Sequence, residues 1–493
     1  MKQTAIVILW LMSLSPGQAQ SADDVTFDGR PTIRYTLLDG SYFVDDCLIC
    51  GRPTIQQELS GTFDLVLLQD AGTVTRYAVR NIDFTTSPGF SGKAHLTGGG
   101  TYQIFAEFAV LQDMELVTRV EDPFTNQVAY FTNDSRVVER PFPLIQVSLT
   151  QTNGRLLQTF SLQLIAAPLR EIWFSLERPL VGTNALGQTN CIRPGDLISN
   201  HGRVVKSNAE LVGKLDVKPV VPDLGLDAVA ITRRGEILFS LPGDVFSETL
   251  GPIQHGDLLS NRGRIVKRNQ QLLAAFGVVT NSPDAGLDAV QLLPDGQILF
   301  SIQSNGMVGA GTKLQRGDIL SDRGQVFRTH AQLLANFRPA VTNQDYGLDA
   351  FVVLPSSEIW FSLEQGFADL RLGPILPGDV LSDQGYRVFN NRQLVAAFGP
   401  LDPSVDYGLD AMFVVTDLTP RSPPPWIRSI HHDQQNNRLR LDWDGEGAVF
   451  EVQRAANLSG PWESRSPILP ELSFEEACEG TNGAQFFYRL QQW

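Results

Sequence analysis

The polar and apolar positions alternate with a period of two along most of the first third of the chain. Phe63, Leu65 and Leu67 alternate with polar or small residues, as do Tyr102, Ile104, Ala106, Phe108 and Val110, then Ile145, Val147 and Leu149, then Phe160, Leu162 and Leu164. Short runs of this kind, broken by Gly, Asn, Asp and Pro, predict an antiparallel sheet with one buried face. The expectation for 23–168 is a β-sandwich.

The centre of the chain repeats. Gly-Leu-Asp-Ala begins at Gly225, Gly286, Gly347 and Gly408, each 61 residues after the last. Gly-Asp, an aliphatic pair and Ser recur at Gly195–Ser199, Gly256–Ser260, Gly317–Ser321 and Gly378–Ser382. Ile, Trp or Leu, then Phe-Ser recur from Ile172, Ile237, Ile298 and Ile359, with a four-residue insertion in the first copy between Leu176 and Arg193. Three phased signals in four copies define a repeat. Each copy predicts four short strands and one helical turn. Leu272 with Phe276, Leu333 with Phe337 and Leu394 with Phe398 are four residues apart and share a helical face. Ser207 with Glu210 and Thr329 with Gln332 have capping-box spacing.

Four strands in each of four repeats predict a β-propeller-like domain over 169–418. The array starts on a second strand at Ile172 and ends on a first strand, Leu409 to Val415, so a ring would let the two complete one another. Against closure, Leu162 to Ala167 could take the first-strand place and leave the array open. Pro420 and Pro423 to Pro425 mark a stiff linker, 419–426. Beyond it, over 427–493, Leu439, Leu441 and Trp443, then Phe450 and Val452, alternate again. The fold class is therefore all-β throughout.

Residues 1–22 read as a secretory signal: Lys2, the apolar run Ala5 to Leu11, and small residues up to Ala19. No later stretch approaches the ~20 uncharged residues of a membrane helix, so the expected location is secreted, periplasmic or cell-envelope. A net charge of −15 without a Lys/Arg cluster argues against nucleic acid or anionic lipid and leaves cations as easier partners. Cys47 and Cys50 form a C-x-x-C. It can staple a tight loop as a disulfide, supply half a zinc site, or act as a redox pair. Cys191 and Cys478 either pair with each other or stay free.

Two resemblances follow from these residues. Asp227-Ala228, Asp288-Ala289, Asp349-Ala350 and Asp410-Ala411 at the start of each first strand, with an aromatic second strand and a late helical turn, resemble the hemopexin-type repeat over about half the chain. The resemblance implies a disc-shaped binding scaffold with a narrow axial channel. The copies here are longer and lack that family's Tyr-Trp pattern, and haem binding is not implied. Val452 to Trp462 with Phe487-Tyr488-Arg489-Leu490 looks like the strand-turn-tryptophan pattern of fibronectin type III-like modules in secreted bacterial proteins.

The six histidines show no H-E-x-x-H or comparable spacing, and there is no G-x-S-x-G elbow or phosphate-cradling glycine loop. His431-His432 reads as exposed loop. Asp227, Asp288, Asp349 and Asp410 carry the sharper expectation. If they face one axis ~8 Å apart, each neighbouring pair repels by about 2 kcal/mol at an effective dielectric of 20. A structural cation in the channel, solvent, or local Asx-turn N–H groups could offset it, the last being the simplest. Asp196, Asp257, Asp318 and Asp379 follow glycine in every copy and read as turn residues. No other cofactor is expected. The function class expected is a non-enzymatic binding or adhesion protein contacting extracellular protein or carbohydrate, or an envelope component. The alternative is a carbohydrate-active hydrolase with paired carboxylates in the channel.

Overall fold

The computed structural model describes residues 6–8, 32–47, 49, 51, 53–89, 92–106, 110–124, 126–183, 187–278, 283–305, 307–309, 312–418, 423–433, 435–477 and 485–493. Two compact units divide the chain. One comprises Gly29–Arg170 with Val415–Thr419, and the other includes Glu171–Val414 and Pro420–Trp493. No helix among the described residues is long and apolar enough to cross a membrane.

In the first unit, strands from Tyr42–Asp46 to Thr159–Ala167 pair in chain order as an antiparallel meander. The last then pairs with the first, Phe160 opposite Asp45 and Leu162 opposite Phe43. The opposed walls that a sandwich builds from two sheets are here one ladder closed on itself, an up-and-down barrel that leaves no free edge. Thr32–Leu37 extends the Tyr42–Asp46 strand along the same groove, pairing with Ile55–Asp70 and Thr159–Ala167. The period-two pattern fills the interior: on Leu111–Glu121, Gln112, Met114, Leu116, Thr118 and Val120 point in and are buried. The ladder slips register between Val79 and Ile82, where Asn81 adopts φ 53°. Gly98 and Gly100 face that stretch; a Cβ on Gly100 would lie 1.9 Å from the Glu115 carbonyl oxygen. A bulge opposite glycine bends the sheet enough to close a small barrel.

The repeats of the second unit form four four-stranded antiparallel sheets, one per repeat. Three are each built within one stretch of chain, such as Val229–Ile231, Ile237–Phe239, Leu258–Ser260 and Arg264–Lys267. The remaining sheet takes Glu171–Phe174, Leu197–Ser199 and Arg203–Lys206 from the start of the array and Met412–Val415 from its end. The array therefore closes, and Leu162 to Ala167 belongs to the barrel. Serine hydroxyls stitch the closure. Ser175 donates to the Leu226 carbonyl (2.8 Å), Ser240 to Leu287 (2.7 Å), Ser301 to Leu348 (3.3 Å) and Ser362 to Leu409 (3.3 Å), each reaching the next sheet and returning to the first.

The helical turns start where expected, at Asn208, Asn269, His330 and Asn391, and Leu272, Phe276, Leu333, Phe337, Leu394 and Phe398 are buried beneath them. Each repeat also carries a hairpin between its second and third strands, which four strands per repeat did not anticipate. These are Leu180–Thr183 with Thr189–Ile192, Val245–Ser247 with Gly251–Ile253, Met307–Gly309 with Thr312–Leu314, and Phe367–Asp369 with Gly373–Ile375. The four-residue insertion of the first repeat falls in this hairpin.

The C-terminal segment forms two sheets around one core of Leu439, Leu441, Trp443, Phe450, Val452, Leu469, Tyr488 and Leu490. It belongs to the same compact unit as the repeats, so the Pro-rich stretch does not set it apart as the sequence suggested. The Arg234 N–H donates to the Gly447 carbonyl (2.9 Å), and Gly235 sits where a Cβ would lie 1.6 Å from the Pro470 carbonyl oxygen. Ile6–Ile8 lies antiparallel to Phe487–Gln492. The other residues of the expected signal, 1–5 and 9–22, lie outside the described residues.

Candidate functional site

Three sets of repeated aspartates have three different fates. Asp196, Asp257, Asp318 and Asp379 accept from the backbone N–H three residues earlier and from the first residue of the helical turn, for example Arg193 (3.0 Å) and Asn208 (2.9 Å) to Asp196. They tie turn to helix start, as glycine-aspartate turn chemistry implies. A set not singled out from the sequence, Asp223, Asp284, Asp345 and Asp406, accepts from the glycine two residues on, at 3.1, 2.8, 3.0 and 2.8 Å. Its signal was readable as Asp-x-Gly ahead of each Leu-Asp-Ala.

The third set is Asp227, Asp288, Asp349 and Asp410. The local Asx-turn solution expected for them belongs instead to the aspartate four residues earlier. Asp227, Asp288 and Asp349 are buried, and Oδ2 of both Asp288 and Asp349 has no hydrogen-bond partner. Other buried acids of the repeats are well supplied: Glu358 accepts from Trp360 Nε1 (2.9 Å), Ser382 and Tyr386, and Glu236 from Ser260 and Arg264.

The four aspartates do face one another electrostatically. Burial first, and the neighbouring carboxylates second, push Asp288 and Asp349 well above the usual carboxylate range. Burial and Asp410 do the same to Asp227, against a hydrogen bond from Gln303. Burial and Glu177 raise Asp410 to about 7.

Around this cluster a second repeat position matters, the residue two beyond each Phe-Ser serine: Glu177, Pro242, Gln303 and Glu364. Gln303 Nε2 donates to Asp227 Oδ2 at 2.6 Å. Glu364 lies beside Asp288 and is held by an ion pair with Arg316. Glu177 brings a third carboxylate to Asp349 and Asp410, with one oxygen of each of the three within 4.8 Å of the others. Burial and then Asp406 raise Glu177, and Arg178 beside it opposes them more weakly. Because the position reads Glu, Pro, Gln, Glu, comparing the copies does not mark it as a site.

The remaining candidates disperse. Cys47 is buried and disulfide-bonded, while Cys50 and Cys478 lie outside the described residues. Cys191 is free and exposed. His431 and His432 are exposed on the strand Trp426–Asp433, not in a loop. His95 and His255 each meet a surface aspartate, Asp83 and Asp244, at 2.8 Å.

No protein-family model matches the chain, and no curated protein matches it. Among solved structures, the chain is similar to the extracellular domain of a hybrid two-component system from B. thetaiotaomicron, at 10% identity over 88% of this chain and 74% of that one, with a TM-score of 0.20. A Bacteroides caccae protein of unknown function aligns at 12% identity over 55% and 82%, and a second extracellular domain of a B. thetaiotaomicron hybrid two-component system at 8% over 84% and 70%, both with a TM-score of 0.20. Superpositions this loose do not establish a common fold.

Proposed function

We propose that this chain is an exported, non-enzymatic binding protein in which a four-bladed propeller presents a contact surface to an extracellular protein or carbohydrate. The observation that carries the reading is the hairpin added to every repeat. Ring-equivalent hairpins project on one side of a propeller, and here they leave Val181, Phe246, Leu370 and Leu376 41–77% exposed. The reading takes these side chains, carried on equivalent hairpins, as parts of one contact surface. Export is supported by the order of charged, apolar and small residues over 1–22 and by the disulfide at Cys47, which suits an oxidising compartment.

The hydrolase reading draws support from one fact: three carboxylates lie close enough for acid–nucleophile chemistry. Asp349 is only 5% exposed, however, and a sugar ring needs an open cleft beside such a pair. The test is a glycan and extracellular-protein binding panel, with each hit assayed for released product. Binding without turnover, lost in a Val181→Ser/Phe246→Ser double variant of unchanged melting temperature, is the expected result. Product release would replace this reading with the hydrolase.

A further inference from the structure

We infer that the corner of the axial cluster formed by Glu177, Asp349 and Asp410 is a binding site for one calcium-class divalent cation. The argument rests on how the four aspartates are answered around the ring. Asp227 receives an amide donor from Gln303. Asp288 meets Glu364, whose charge is matched by Arg316. At the equivalent place Asp349 meets Glu177, and Asp410 is the fourth aspartate beside them. The side chain in that position toward the remaining aspartate is Pro242, which has neither donor nor charge. Among the described residues, one corner thus gathers three carboxylates with no amide donor or close ion pair like those serving the other two, only the weaker pull of Arg178 on Glu177.

A second observation points the same way. Asp349 is buried, sits within 4.8 Å of both partners' oxygens, and keeps an Oδ2 with no hydrogen-bond partner. A buried carboxylate oxygen left unpaired costs the fold its desolvation, and a cation is the group that three converging carboxylates can share. The donor set is all oxygen, which selects a hard ion. Oxygens bound to one calcium at 2.3–2.6 Å can lie up to about 5 Å apart, whereas magnesium at 2.0–2.1 Å restricts them to about 4 Å. Oxygens that all lie within 4.8 Å of one another fall inside the span of one calcium. Glu177 is partly exposed and gives the ion a route from solvent. The inference does not depend on the hairpins being a contact surface.

The test uses the full-length protein, stripped with chelator and titrated with calcium and with magnesium by calorimetry, beside Glu177→Gln and Glu364→Gln. One calcium per chain is expected, with magnesium at least about tenfold weaker. Glu177→Gln should weaken calcium about tenfold or more, because the ion loses a charged ligand, and Glu364→Gln should stay within about twofold of the parent. Circular dichroism checks that each variant folds, and Asp410→Asn replaces Glu177→Gln if the latter does not. Absence of a calcium isotherm from the parent would overturn the inference in favour of carboxyls that share protons. Equal loss in both glutamate variants would overturn it in favour of a diffuse acidic surface, and unchanged binding in Glu177→Gln would overturn the assignment of the corner.

Discussion

The barrel and the four-repeat array solve the same problem in different ways. Each closes on itself, the barrel through one continuous ladder that leaves no edge and the repeats through a last strand that completes the first of four separate sheets. They differ in what closure encloses. Most polar groups inside the barrel are answered, the Thr118 hydroxyl excepted: Gln57 donates to Thr86, Ser87 and Gly92, and Tyr102 to Gln112. At the axis of the repeats, Asp288, Asp349 and Glu364 each keep an oxygen without a partner. A buried polar group that is satisfied serves the fold, and an aspartate repeated in every copy yet left with an unpaired oxygen in two of them points to something the chain alone does not supply.

Substitutions can break this comparison, beginning with the largest expected effect. Phe63→Ala empties a fully buried site in the barrel core, where Phe63 stacks on Tyr35 at 5.2 Å between ring centroids, and should cost about 3–5 kcal/mol by chemical denaturation. Asp410→Asn should act in the opposite direction. The folded-state value of Asp410 is raised from 3.8 to about 7, so the fold holds a proton that the unfolded chain releases. That contribution is complete below about pH 4 and is lost as pH rises through about 7. With cations chelated, the parent should lose stability between pH 5 and pH 8 by on the order of 2–4 kcal/mol. Asp410→Asn should flatten that slope and melt higher than the parent at pH 8. A parent that gains stability over this range would contradict the strained axis.

Gln303→Leu removes the donor to Asp227 and should cost about 1–3 kcal/mol, the cost growing as pH rises because this hydrogen bond favours the ionised carboxylate. A cost independent of pH would mean that Gln303 acts through packing. The smallest effect sharpens the repeat assignment. Thr329→Ala deletes a side-chain cap on the Gln332 N–H (3.2 Å) and should cost about 1 kcal/mol.

The sequence made the repeats legible because each signal is local. A serine, a glycine-aspartate turn or a capping pair acts within a few residues, so four copies show it four times. Ring closure was half legible, as an array beginning on a second strand and ending on a first. The hairpins escaped because strands of three or four residues have too few positions for a period to show. Glu177 escaped for a different reason: it acts with Asp349 and Asp410, more than 170 residues away.

By itself the sequence determined the all-β class, the 61-residue repeat, the buried face of most barrel strands and the four repeated aspartates. These depend on the two-residue pleat and on turn chemistry, which neighbouring residues dictate. Only the tertiary structure decided that the first unit is one closed ladder, that Met412–Val415 completes the sheet of Glu171–Phe174, and that one corner of the axis holds three carboxylates. Those outcomes depend on pairings across long stretches of chain, and on which of four nearly identical repeats supplies a glutamate, a glutamine or a proline at the shared axis.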